Sequence, residues 1–215
     1  MSVYNQQQIE TFRMVRHHLE RLPIFQLNWL KRRIESYVQF RADVARFQRE
    51  HFTDICSRKC FASQSSACCG REGIMTFFAD VVVNVLISAP REIDPLLAAL
   101  ALDTGGFNCV YLGNTGCLWL LKPIVCEMFL CEHAKKSALE EDEPLLSQWE
   151  GLRLRERQYT WPSQRVLFDE LEGFFLEAGL DSPLMYFHQS PGLLRVKAKH
   201  GLGPQKVAGV WNQTR

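Results

Sequence analysis

Eight cysteines fall between Cys56 and Cys131, and none lies elsewhere in the 215 residues. They form two groups of four: Cys56, Cys60, Cys68 and Cys69, then Cys109, Cys117, Cys126 and Cys131. Thiols at this density serve disulfides, metal ligation or redox chemistry. Packing does not require them. With 47% hydrophobic and 23% charged residues the chain can build an ordinary core, without the staples that small secreted domains need.

The expected compartment narrows the choice. Residues 1–10 are polar and Gln-rich, without the basic start and apolar stretch of a signal peptide. The longest apolar run, Gly73 to Ala89, is interrupted by Asp80 and Asn84, and it is short for a bilayer span of about 20 residues. A cytoplasmic protein with no membrane partner is expected. In reducing cytosol thiols do not persist as structural disulfides, which favours metal. A net charge of +1 gives no general pull toward nucleic acid. The Arg-rich stretch from Arg13 to Arg49, centred on Lys31-Arg32-Arg33, is interleaved with Glu20, Glu35, Asp43 and Glu50. It reads as a solvated helix face, so nucleic acid is not an expected partner.

The cysteine spacings are C-x3-C-x7-C-C, then 39 intervening residues, then C-x7-C-x8-C-x4-C. These are not the paired C-x2-C of a zinc ribbon or a ferredoxin. Ligation still accounts for them, because Gly70, Gly113, Gly116 and Pro123 place turns beside several cysteines, and a loop can converge side chains on one centre. Neighbouring side chains such as Cys68 and Cys69 point to opposite faces of an extended segment and diverge by about 100° in a helix. They suit two adjacent centres or a polynuclear cluster. Eight thiolates would fill two four-coordinate sites. A thiolate set selects zinc, or iron in an iron–sulfur cluster. Packing as small buried hydrophobes is the alternative for any single cysteine, above all Cys126 and Cys131.

Beyond the cysteines, His51, Glu127, Glu132 and His133 are further candidate ligands; for the histidines a place at a helix end is the simpler reading. His17 and His18 read as solvent-facing. Asp80, a carboxylate inside an apolar run, must find a partner or protonate. A hydrogen bond beside the metal, a pairing with Arg71 or Arg91, or a helix N-cap would each serve.

The order of these motifs resembles the YkgJ-like family of zinc- or iron-chelating, iron–sulfur oxidoreductase-like proteins. The likeness runs over residues 53–133 and rests on Cys56 and Cys60, the doublet Cys68-Cys69, and Ile74-Met75-Thr76 through Asp80. Cys109, Gly116-Cys117, Lys122-Pro123-Ile124-Val125-Cys126 and Cys131 complete it. Three details differ from the family pattern. The first pair is spaced x3 rather than x2, Lys122 stands for arginine, and Gly116 and Cys117 are contiguous. The resemblance implies a bound metal or cluster, with an oxidoreductase-like role.

Apolar periodicity predicts helices over most of the chain. Residues 6–51 carry two stripes broken at Pro23, suited to two helices packed against each other in antiparallel fashion. Residues 56–70 read as loop, and 74–88 as helix with Asp80 and Asn84 on one side. Asp94-Pro95 reads as the start of a helix reaching about Leu102. Turns are expected at Thr104-Gly105-Gly106 and over Leu112 to Gly116, and Pro123 opens a helix carrying Cys126. Glu140 to Pro144 is the best internal boundary. Ser163 to Ala178 is an amphipathic helix ended by Gly179. Leu184 to His188 and Leu193 to Lys197 could form a hairpin around Gln189 to Gly192, and the last dozen residues read as poorly ordered.

The expected fold is mainly α, a helical bundle around a cysteine-rich metal-binding loop core with small irregular or β parts. It divides into residues 1–52, a metal-binding module over 53–136, and residues 144–215, together one compact domain. The expected function is metal binding, through an iron–sulfur cluster or zinc or iron ions held by all eight cysteines. The alternative is a zinc-braced structural or interaction module with a protein partner. There is no G-x-G-x-x-G, Walker A, H-E-x-x-H or G-x-S-x-G, so no catalytic residue is assigned.

Overall fold

A computed structural model describes residues 1–62, 70, 75–102 and 108–203, with residues 57–60 and 90 described by their backbone alone. The chain is mainly α. α1 (Val3–Arg21) and α2 (Ile24–Phe52) are followed by a π-helix (Thr53–Phe61), then α3 (Phe78–Ile87) and α4 (Pro90–Leu102). A two-stranded antiparallel ribbon, β1 (Leu112–Gly113) with β2 (Gly116–Cys117), precedes α5 (Ile124–Glu127) and α6 (Glu132–Ala138). α7 (Glu143–Thr160), α8 (Leu167–Glu177), α9 (Tyr186–Gln189) and α10 (Pro191–Lys199) complete the described elements.

α3 organises the rest. Phe78, Val81, Val82, Val83 and Leu86 are buried, and so are Asp80 and Asn84. A helix apolar on every side has to be covered on every side. α1 and α8 supply most of the cover. The stripe Ile9, Phe12, Val15 and Leu19 of α1 is buried, and full burial of a side chain such as Phe12 contributes about 1.5–3 kcal/mol. Ser2 caps α1 by accepting the Asn5 N–H at 3.1 Å, and the Asn5 side chain donates to the Leu100 carbonyl of α4 at 2.9 Å.

α1 and α2 do not form the expected antiparallel pair. α1 packs chiefly on α3 and α4, and α2 on the π-helix and α7, because the larger apolar surface of α3 takes the α1 stripe. α2 instead buries Tyr37 and Phe47 against rings of the C-terminal half: Tyr37 meets Phe168 at 5.4 Å and Phe47 stacks on Trp149 at 5.7 Å between centroids. Lys31, Arg32 and Arg33 are exposed, and Arg33 pairs with Glu170.

Several boundaries differ from the expectation. Residues 56–61 are π-helical rather than loop, running on from α2 without a break. α4 starts at Pro90, not Asp94, because Glu92 reaches back to accept the Ala89 N–H at 2.6 Å. Leu139 to Asp142 form the turn between α6 and α7, as the boundary at Glu140 to Pro144 would have it, with Asp142 accepting the Leu145 N–H at 2.9 Å as the α7 N-cap. α8 starts at Leu167 rather than Ser163, since Pro162 and the Ser163 N–H to Trp161 carbonyl turn intervene. It ends as expected at Gly179, whose φ is +75°. Gly179 donates to the Leu176 carbonyl and Leu180 to the Phe175 carbonyl, a Schellman closure.

The expected C-terminal hairpin is absent, and α9 and α10 occupy those residues. Pro191 supplies the first-turn φ of α10. Leu193, Val196 and Lys197 then share its inner face, with Lys197 donating to Asp169 at 2.7 Å. Residues 63–69 and 71–74, the Thr104-Gly105-Gly106 turn and the last dozen residues lie outside the described residues. Among the described residues no helix is long and apolar enough to cross a membrane.

Candidate functional site

The polar side of α3 fixes the segment that leads to Cys126. Asp80 is 1% exposed. One carboxylate oxygen accepts the Phe77 N–H and the other the Ile124 N–H, each at 3.0 Å. Asp80 thus caps its own helix and the first turn of α5 together. Asn84, one turn on, donates to the carbonyl of Leu121 and accepts its N–H. Burial pushes the Asp80 carboxyl up to about 6, while the Arg41 charge and the two N–H donors hold it down. The expected pairing with Arg91 is not formed, since Arg41 supplies the charge, and Arg71 lies outside the described residues.

Three cysteines of the second group lie in the neighbourhood of Tyr4 and Tyr111. The Tyr4 and Tyr111 hydroxyls lie close enough to shift each other's ionisation. Tyr4 also pairs with Thr76 at 3.2 Å, and Tyr111 donates to Gln8 at 3.1 Å. Cys109 and Cys126 lie within electrostatic reach of Tyr4, and Cys109 and Cys117 within that of Tyr111. Burial raises both phenols above their ordinary range. Burial also raises the Cys117 thiol, against the Trp119 N–H and Lys122, which lower it. A metal bound there would displace that proton. Cys131 is the N-cap of α6, its Sγ accepting the Ala134 N–H at 3.4 Å.

The first group is described in part. Cys56 is exposed on the π-helix. Only the backbone of Cys60 is described, and Cys68 and Cys69 lie outside the described residues. An isolated antiparallel bridge joins Gly70 to Asn108, the residue after Cys69 to the residue before Cys109. Half-buried thiols suit a thiophilic ion in kind. Yet among the described residues no three His, Cys, Asp or Glu side chains are grouped so that they could hold a metal ion. A complete site would need ligands from the remaining cysteines.

Of the other candidates, His51 lies tilted at 55° against Phe47, with centroids 4.9 Å apart. His133 meets the Ser137 hydroxyl and Glu132 pairs with Lys135 at 2.7 Å, all at the surface. His18 is half-buried against Phe175 rather than solvent-facing. Glu127 is buried, with Arg41 at 3.7 Å and Lys122 at 3.8 Å. These three residues line a cleft of about 250 Å³ with Cys56, Trp119 and Phe52. Sequence reasoning missed Arg41, Trp119, Tyr4 and Tyr111. Arg41 alone left a signal, as a cation one turn after Tyr37 on the apolar side of α2.

Comparison with protein-family models, with curated proteins and with solved structures finds no match for this chain.

Proposed function

We propose that this is a metal-binding protein in which Cys56, Cys60, Cys68, Cys69, Cys109, Cys117, Cys126 and Cys131 coordinate an iron–sulfur cluster or zinc or iron ions. The Gly70–Asn108 bridge carries the reading, because it ties the end of one cysteine group to the start of the other. The placement of Cys109, Cys117 and Cys126 near Tyr4 and Tyr111 supports it. So does the resemblance to the YkgJ-like cysteine pattern. The same reading keeps the protein in a reducing compartment, the cytoplasm. Iron–sulfur ligation would supply one-electron chemistry, whereas closed four-thiolate zinc would only brace the fold.

The test is metal content and the absorption spectrum of protein purified without oxygen, compared with Cys109→Ser and Cys69→Ser. Iron with sulfide and visible absorbance, lost in both variants, supports the cluster. Stoichiometric zinc without colour turns the search toward a protein partner. Folded, metal-free protein with eight titratable thiols would overturn the proposal.

A further inference from the structure

Two side chains that line the cleft between α2, the π-helix and the Trp119–Lys122 segment carry unused donors. Arg41 is 2% exposed and Trp119 4%. Arg41 Nε and Trp119 Nε1 are buried without a hydrogen-bond partner among the described residues. A buried donor left unmade costs about 1–3 kcal/mol, and folded proteins leave few of them. Two such donors on side chains of one cleft need a reason. The remaining guanidinium nitrogens are engaged: Nη1 donates to the Tyr37 hydroxyl at 2.7 Å and Nη2 to the Lys122 carbonyl. Arg41 is thereby held in place with Nε left over.

Charge points the same way. Among the described residues Arg41, Arg49 and Lys122 line the cleft against the one carboxylate of Glu127, and Cys56 lines it too. Gln48 also lines the cleft, its amide donating to the Glu127 carbonyl. The cleft is therefore cationic, while Phe52 and Leu121 give it an apolar wall. Its volume of about 250 Å³ equals that of about eight waters, enough for a small organic molecule and too little for a nucleotide.

We propose that this cleft binds a small organic carboxylate. The acid places its carboxylate toward Arg41, Trp119 and Lys122 and its apolar body against Phe52 and Leu121. Arg41 keeps its bonds to the Tyr37 hydroxyl and the Lys122 carbonyl, and the entering acid takes up the unused Nε and Trp119 Nε1 donors. Guanidinium and ammonium groups would take phosphate as readily. Inorganic phosphate, however, has no apolar body to place on the wall. The inference does not rest on metal binding: Cys56 alone of the lining is a proposed ligand, and the acid is placed on Arg41, Trp119 and Lys122 instead.

The experiment is calorimetric titration of the purified full chain with benzoate, hexanoate and inorganic phosphate, alongside intrinsic tryptophan fluorescence. Benzoate or hexanoate should bind saturably and at least tenfold more tightly than phosphate. Lys122→Met, at a half-exposed position, should weaken that binding about tenfold or more without changing the thermal midpoint. Trp119→Phe should abolish the fluorescence change. Absence of saturable carboxylate binding, undiminished affinity in Lys122→Met, or a preference for phosphate would each overturn the proposal. Metal content measured on the same preparation separates this outcome from that of the metal reading.

Discussion

Asn84 holds Leu121 by both of its backbone polar groups: the side-chain amide donates to the Leu121 carbonyl at 2.9 Å and accepts the Leu121 N–H at 3.0 Å. A second amide bond, to the Asp80 carbonyl at 2.9 Å, fixes the orientation of the side chain. The segment before Cys126 is therefore anchored to the central helix as a strand partner would anchor it. Replacing Asn84 with Leu strands both Leu121 groups. A loss of about 2–4 kcal/mol is expected from two unsatisfied buried groups, read as a lower urea midpoint at unchanged slope.

Asp80 makes stability depend on pH in a defined direction. Its folded value of about 6 lies above the ordinary value of 3.8, so the folded state binds the proton more tightly. The contribution is fully present below about pH 4 and is lost as pH rises through about 6, amounting to at most about 3 kcal/mol. Asp80→Asn should flatten the stability curve across that window. An unchanged slope in urea titrations at pH 4, 5 and 6 would contradict this assignment.

Glu172 acts with the same sign over a higher window. Burial pushes its carboxyl up to about 7, against the lowering hydrogen bond from His188 at 3.0 Å. Protonation favours the folded state, so stability from this group falls as pH rises from about 4.5 through about 7. Glu172→Gln should remove the slope above about pH 6.5 while Asp80→Asn leaves that part unchanged, and thermal melts at about pH 6.5 and 8 would distinguish the two.

Lys197 is 3% exposed and bonds the fully buried Asp169 and the Phe187 carbonyl. Removing one partner of a buried ion pair costs up to about 3–5 kcal/mol, and His188 Nε2, 3.6 Å from Asp169, offsets part of it. Lys197→Met should lower the thermal midpoint sharply. The double change Lys197→Met with Asp169→Leu should recover much of the loss.

Gly179 closes α8 at φ +75°, with nothing within 4 Å of where a Cβ would sit. Gly179→Ala therefore adds backbone strain without a clash, and a loss of about 1–2 kcal/mol is expected. A denaturant midpoint equal to that of the unchanged protein would show that the Schellman turn relaxes.

The helices were legible where apolar residues recur at three and four positions, as Ile9, Phe12, Val15 and Leu19 do. The break at Pro23 and the stop at Gly179 were legible because each acts through its own backbone. The C-terminal hairpin was misread because Gln189 to Gly192 has turn composition either way. Lys197 decided for helix by reaching Asp169, a contact between residues 28 apart in the chain. The cysteines marked the region of interest. Arg41 and Trp119 gained meaning only when α2 and the segment after β2 came to face one cleft.

The amino-acid sequence by itself determined the mainly helical fold, the break at Pro23, the stop at Gly179 and the crowding of thiols into one region. These follow from side-chain period, φ preference and composition, which act over a few residues. The tertiary structure decided which helices meet, how Asp80 and Asn84 are satisfied, and which charges share the cleft. Those outcomes depend on burial, which desolvates a polar group and leaves it to whatever partner the fold brings within hydrogen-bond distance.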